Sequence, residues 1–382
     1  GKPDNRIAVN FARYLVNVFQ GFFIGNPIKI THPDPEVTAE IRSILRKNSI
    51  RSKDSSIAKQ CSIFGKCYEL MWINENSELR MACIKPTEGF MVYDDSIEPS
   101  PVAFVTVEKD ANGIKRGQVI DSYSIRYYTQ ENGTSYTGKE DVHQFRDVPA
   151  VEYRENEEAQ SIFEPVYSLI NAYNDAISDK ANDVDYFSDS YLKIIGPRVD
   201  AKDTAYMRSN RVINFETHDP SAIDIEFLQK PAVDGMQENL LNRISEEIFC
   251  KSQIMDIADS NFVGNSSGVA IKYKLMAMDN LAKAKENEFI ESLNRRLMLI
   301  CSLPTIKVPD DAWEEMEFTF TPNYPANLAE EVQIATGMAG ITSKKTQRRS
   351  LSIVTDPDQE LEQIKSEEEE SFLSDPYSHL MH

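Results

Sequence analysis

The sequence is poor in the residues that build metal centres, disulfide frameworks and hydrolytic sites. Its five cysteines, Cys61, Cys67, Cys83, Cys250 and Cys301, are odd in number and never fall at C-x-x-C spacing, which argues against a zinc ribbon and for reduced thiols. Five histidines, His32, His143, His218, His379 and His382, never recur at i, i+4, so there is no zincin helix. No G-x-S-x-G occurs, and "GKC" at Gly65 and "GKE" at Gly138 lack the upstream glycine and the Ser or Thr of a Walker A loop. The chain therefore carries no motif for burning ATP, and neither a cofactor nor a metal is expected. Long apolar runs are missing as well. "FARYLVNVFQGFFIG" is broken by Arg13, Asn17 and Gln20 and falls short of the roughly 20 residues that cross a bilayer, so no membrane span and no signal peptide are expected. Positive charge is scarce: 41 Lys and Arg stand against 61 Asp and Glu, a net −20 that argues against wrapping nucleic acid by counter-charge.

What is present suits a large folded chain. With 382 residues and 41% apolar content there is material for two or three modules with their own cores. Ile7, Phe11, Tyr14, Leu15, Val18 and Phe22 predict a helix over residues 5–25, and further helices are predicted over 36–47 and 55–64. From Cys67 to Phe145 the pattern turns to short alternating runs such as "CYELMWI", "FMVYD", "AFVTVE" and "IDSYSIRYYTQ", a small antiparallel sheet region. A long helix is predicted from Ser161 to Tyr191, then a mixed segment with strand-like "RVINFE" and "IDIEFL", then helices from Val233 to Ala258 and from Ser267 to Cys301. A strand in "MEFTFTPNYP" and two short helices precede an acidic run, Asp356 to Glu370, where eight carboxylates face one lysine for a local charge of −7.

Three constellations stand out. Asp175, Asp179 and Asp183 repeat at i, i+4, a like-charge stripe that costs a few tenths of a kcal/mol per pair and reads either as a solvated face or as a wall that repels a polyanion. Lys344, Lys345, Arg348 and Arg349 can meet phosphate or pair with the acidic run beside them. "DSNFVGNSSGVAIKYKLM" sets Phe262 and Val263 among Asn, Gly and Ser between two helices, where the pair either folds under a neighbouring helix or projects into a partner or a lumen.

Taken in order, four segments resemble the portal proteins of tailed bacteriophages, in the SPP1-like branch. "ARYLVNVFQGFFIGNPIKI" is similar to that family's N-terminal helix and its G-x-P turn, and "IFEPVYSLINAYNDAISDKANDVDYFSDSYL" to its long stem helix. "FVGNSSGVAIKYKL" resembles the tunnel loop, and "AGITSKKTQRRSLSIVTDPDQELEQIKSEEEE" the C-terminal segment, although "QRRSLSIV" departs from the usual apolar pattern there. The resemblance implies an α+β portal fold: a wing over 1–155, a stem helix over 156–195, a small mixed clip over 196–231 and a second stem helix over 232–258. A tunnel loop over 259–268, a long helix over 269–303, wing and crown over 304–345 and a crown segment with acidic tail over 346–382 complete it.

It further implies a ring, usually of twelve subunits, at one capsid vertex of the virion, assembled in the host cytoplasm and threaded without sequence preference by double-stranded DNA. The motor would be a separate terminase, and the other partners would be scaffold, major capsid protein and the head-completion connector. By the same resemblance Asn261, Phe262, Val263, Gly264 and Asn265 would form the tunnel loop, Asp175, Asp179 and Asp183 an acidic channel stripe, and Arg211, Ile213, Phe215, Ile225 and Phe227 the clip surface that docks terminase. A ring-forming adaptor that conducts no DNA, and an enzyme of unfamiliar type, are the alternatives the residues leave open.

Overall fold

The computed structural model describes residues 4–109, 111, 113–130, 134–188, 192–195, 224–227, 234–257, 268–324, 328–351, 353–354 and 357–374. The chain divides into two compact units, Gly1–Asn17 with Gln160–Ile254, and Val18–Ala159 with Met255–His382.

In the first unit, helix α4 (Tyr167–Ser188), entered through a 3-10 turn at Glu164–Val166, lies beside α5 (Asp234–Ser252). Polar bonds tie them, among them Lys180 to Glu238 at 3.1 Å and the Gln237 amide donating to Asp183 at 3.0 Å. An extended arm over residues 4–10 runs along α4. Its amides at Asn5, Ile7 and Val9 donate to Asn182 (2.6 Å), Ser178 (2.9 Å) and Asn174 (2.8 Å), three side chains four residues apart on one helical stripe. The predicted helix over 5–25 is thereby shortened to α1, Phe11–Phe23, because the arm exchanges helical hydrogen bonds for this ladder. Phe11 sits edge-on to Tyr173 at 4.9 Å and to Phe249 at 5.9 Å, closing the apolar side. Strands β11 (Leu192–Ile195) and β12 (Asp224–Phe227) pair antiparallel, with Ile194 opposite Ile225.

The second unit carries the sheets. Helix α2 (Pro35–Lys47) starts where Asp34 accepts from the Glu36 amide and Pro35 fills the first turn, where no amide donor is missed. Helix α3 (Ile50–Phe64) begins five residues before its predicted start, after Ser49 turns the chain in the left-handed region at φ 52°. Strands β2 (Lys66–Ile73), β3 (Leu79–Ile84) and β10 (Ala150–Arg154) form a sheet ordered β10-β2-β3. A six-stranded sheet runs β4 (Gly89–Tyr93), β5 (Pro101–Thr106), β7 (Lys115–Ile120), β8 (Ser124–Gln130) and β9 (Thr134–Val142), with β6 (Glu108–Lys109) paired to β7. Gly117 is required in β7, since a Cβ there would stand 1.9 Å from the Thr106 carbonyl oxygen. β1 (Lys29–Thr31) pairs with β13 (Glu317–Thr319), so the long strand predicted in "MEFTFTPNYP" contracts to three residues ahead of Pro322.

Helix α6 (Gly268–Cys301), 34 residues or about 51 Å long, binds the outer edge of β10. Arg295 donates to the carbonyls of Ala150 (3.0 Å) and Val148 (3.1 Å), and Ser292 to that of Glu152 (2.7 Å). The strand edge that would otherwise offer open acceptors is thus closed. The C-terminal part is helical: α7 (Leu328–Gly337), α8 (Lys344–Arg349) and α9 (Pro357–Ser374). Among the described residues no helix is long and apolar enough to cross a membrane.

Candidate functional site

The residues singled out by the sequence fall in separate places. Asp175 and Asp179 are exposed along α4, whereas Asp183 is partly buried and receives the Gln237 amide. The stripe lies directly beside Asn174, Ser178 and Asn182, the ladder that holds the N-terminal arm. Ile225 and Phe227 lie on β12, opposite Ile194 and Leu192 of β11, a strand that sequence reading passed over as the run-out of the long helix. Asn261, Phe262, Val263, Gly264 and Asn265, and likewise Arg211, Ile213 and Phe215, lie outside the described residues.

What the sequence did not reveal is how α6, the helix that follows the 258–267 segment, is anchored. Arg296 is fully buried and reaches Glu69 of β2 (Nε to Oε2, 2.7 Å) and Asp54 of α3 (Nη2 to Oδ1, 2.7 Å), while Tyr153 of β10 donates its hydroxyl to Glu69 at 3.1 Å. Eleven residues, or three turns, earlier on the same face, Lys285 meets Glu155 at 2.5 Å and donates to Ser62 and to the Ala58 carbonyl at 2.9 Å. The Phe19, Phe23 and Phe289 rings surround its ammonium at 5.0 to 5.5 Å.

Burial pushes Asp54 and Glu155 above the ordinary carboxylate range, against the pull of Arg296 and Lys285. Burial also works against the Arg296 charge, but Asp54 and Glu69 outweigh it and hold the guanidinium well above its usual value. The sequence did hold a signal for this cluster. Glu69 interrupts the otherwise apolar core positions of "CYELMWI", and Lys285 and Arg296 recur on the apolar face of a helix.

No group of three or more His, Cys, Asp or Glu among the described residues is arranged to hold a metal. Burial raises the Cys61 thiol far above its ordinary value, and Cys301 is pushed up to about 11. A cleft of 1020 Å³ on the six-stranded sheet has Lys109, Lys115, Arg116, Glu88 and Tyr127 on its walls, and no His, Cys or Ser lines it.

An α+β chain of this order, with a strand-rich block, paired helices, the two-stranded β11–β12 sheet and a long helix, shares its fold with a solved structure of a particle neck. A solved structure described as the neck of an empty GTA particle computed with C6 symmetry matches it with a TM-score of 0.53 at 12% identity, over 89% of each chain. The chain belongs to the phage portal protein family of the SPP1 Gp6-like type, whose family model matches residues 1–371. It is 23% identical over 403 aligned residues to the portal protein of Clostridium phage phiCD119, covering 98% of this chain and 88% of that one. It is 22% identical over 395 to the portal protein of Bacillus phage SPP1, covering 96% and 76%. The family is structural rather than enzymatic in character.

Proposed function

We propose that the chain is the repeating subunit of a portal ring at one vertex of a phage head, through which double-stranded DNA enters during packaging and leaves at ejection. The observation that carries this reading is the family match over nearly the whole chain, residues 1–371, which leaves no room for a separate catalytic domain within it. The neck neighbour adds support, since it comes from a symmetric assembly of copies. The ring would number twelve subunits, dock terminase through the clip over 196–231, and later receive the head-completion connector. The layout follows the resemblance: wing over 1–155, stem helices over 156–195 and 232–258, tunnel loop over 259–268, and crown toward the C-terminus.

The charge fits a conduit. A subunit of net charge −20 repels a polyanion, so duplex would slide with little adhesion past Asp175, Asp179 and Asp183, and an apolar tip at Phe262 and Val263 would touch it without an ionic grip. Force would come from a separate motor. The test is electron microscopy of the purified chain together with an in vitro packaging assay in which the chain is the sole portal. Closed annuli that support DNA uptake are expected. Annuli that assemble but never pass DNA would turn the reading into that of an adaptor, and absence of any annulus would refute it.

A further inference from the structure

Two of the five cysteines, Cys67 and Cys83, have their sulfurs 3.2 Å apart, close enough for one thiol to donate to the other. The sheet brings them together. Cys83 of β3 lies directly opposite Glu69 of β2, and Cys67, two positions before Glu69, projects from the same face. The thiols are thus diagonal neighbours at the end of the ladder, where Tyr68 and Ile84 make the last pair.

Their surroundings differ. Cys67 is fully buried, with its sulfur 3.4 Å from the Ile84 carbonyl oxygen, whereas Cys83 is half-buried and open to small solutes. The hydrogen bond between the thiols acts on them in opposite directions. Together with burial it pushes the Cys67 thiol far above its ordinary value, and it holds Cys83 below its own against burial and the Glu69 and Glu88 charges. Cys83 therefore has the thiolate character that makes a nucleophile, and Cys67 keeps its proton. The remaining cysteines are placed otherwise: Cys61 is buried and donates to the Tyr153 carbonyl at 3.5 Å, Cys301 is buried, and Cys250 is exposed.

We infer that Cys67 and Cys83 are a redox modification site, a cross-strand disulfide closed by peroxide and opened by small thiols. The Cys83 sulfur attacks hydrogen peroxide, an S–O bond forms as the O–O bond breaks, and the departing hydroxide takes the proton that Cys83 gave up. The Cys67 sulfur then attacks the Cys83 sulfenic acid. An S–S bond forms, the S–O bond breaks, and the second hydroxide takes the Cys67 proton. Two thiols have lost two electrons, one peroxide has gained them, and two waters result. A dithiol reverses the outcome by becoming a disulfide itself.

Closure from 3.2 Å to the roughly 2.05 Å of a disulfide moves the sulfurs together by about 1.1 Å. Diagonal neighbours stand about 7 to 8 Å apart at Cα, at the upper limit for a bridge, so one strand must yield a little. β3 is free to do so, because it is an edge of the β10-β2-β3 sheet and its ladder ends at Ile84. The bond would staple that edge to β2, whose Glu69 holds Arg296 and thereby the long helix α6. Neither step depends on the portal reading.

The test uses the full-length folded chain carrying C250S, which removes the exposed thiol able to link two copies. After treatment with a small excess of hydrogen peroxide and then unfolding, free thiols counted with DTNB should fall from four to two, one of the five having been replaced. Peptide mapping should find Cys67 joined to Cys83, and dithiothreitol should restore all four. In C67S/C250S the attacking thiol has no resolving partner, so dimedone should label Cys83; in C83S/C250S the buried Cys67 should stay unmodified. Amides of Leu79–Ile84 should exchange more slowly in the oxidised chain and return to their former rate on reduction. The mapping needs neither Cys67 nor Cys83 replaced, so a misfolded variant does not spoil it. Four thiols surviving peroxide, Cys83 running on to sulfinic acid beside a free Cys67, or a link from Cys83 to any other cysteine overturns the inference. Unaltered exchange of Leu79–Ile84 in the linked chain overturns the staple.

Discussion

Replacing Arg296 with Met leaves two carboxylates facing each other in the core. Glu69 is fully buried, and the Asp54 side chain is only 11% exposed. At an effective dielectric near 20, unit charges centred about 4 Å apart attract by about 4 kcal/mol, a gross gain offset by several kcal/mol of desolvation per ion. Removing the cation forfeits the gain while the carboxylates stay desolvated. Part of the penalty is relieved by protonation, which Asp54 already favours because burial raises its pKa.

The net loss should be about 3 to 5 kcal/mol, as when one partner of a buried pair is removed. The reasoning makes a second, less intuitive statement. The combined variant R296M/E69L/D54L/Y153F, which removes every polar partner together, should recover most of that loss and can exceed the parent by about 1 to 4 kcal/mol. Urea unfolding at fixed protein concentration measures both. Trp72, on β2 three residues from Glu69, and Trp313 are the only two tryptophans and supply the fluorescence signal. A cost below about 1 kcal/mol for R296M, the range of an exposed pair, would refute the argument.

Removing the ladder on α4 with N174A/S178A/N182A deletes three acceptors, each worth about 0.5 to 1.5 kcal/mol. Amides of residues 5–9 should lose protection in hydrogen exchange while α4 keeps its own, and unchanged protection would mean the arm is held otherwise. Acid titration should be biphasic. Asp54 and Glu155 have folded pKa values raised above their ordinary 3.8 and 4.5, so the folded chain binds more protons than the unfolded chain just above those values. Their contribution falls as pH rises through the folded pKa and recovers toward acid. Asp121, where burial acts upward but the Ser124 and Tyr123 amides and Arg126 together outweigh it and hold the carboxyl low, and Asp94, held low by Ser96 and Ser100, contribute stability that is lost as pH falls below about 4. The melting temperature should therefore peak on the acid side of neutrality, and E155Q should flatten the limb between that peak and neutral pH. A limb unaltered in E155Q would place the titrating group elsewhere.

Local chemistry made much of the fold legible. Asp34, Pro35 and Glu36 announce the start of α2, predicted one residue late, and the alternating runs between Cys67 and Phe145 are strands. Residues 5–10 were misread because helical spacing of apolar side chains says nothing about acceptors on another element, and Asn174, Ser178 and Asn182 lie more than 160 positions away. The core ion cluster was hidden for the same reason. Arg296 meets Glu69 and Asp54 across 227 and 242 positions, and no short motif encodes such a meeting. The acidic stripe was readable as a pattern, but its neighbours were not. Asp183 receives Gln237, and Lys180 on the same helix reaches across to Glu238.

The covering of β10 by α6 has a consequence in time. Arg295 closes the Ala150 carbonyl across 145 positions of sequence. At a synthesis rate of about 5 to 20 residues per second, that interval is roughly 7 to 29 s, during which β10 has left the ribosome and its outer edge has no lid. For those seconds each nascent chain carries an open strand edge able to pair with another copy. The helix that completes the sheet arrives last, so the period of greatest danger to the subunit lies within its own translation.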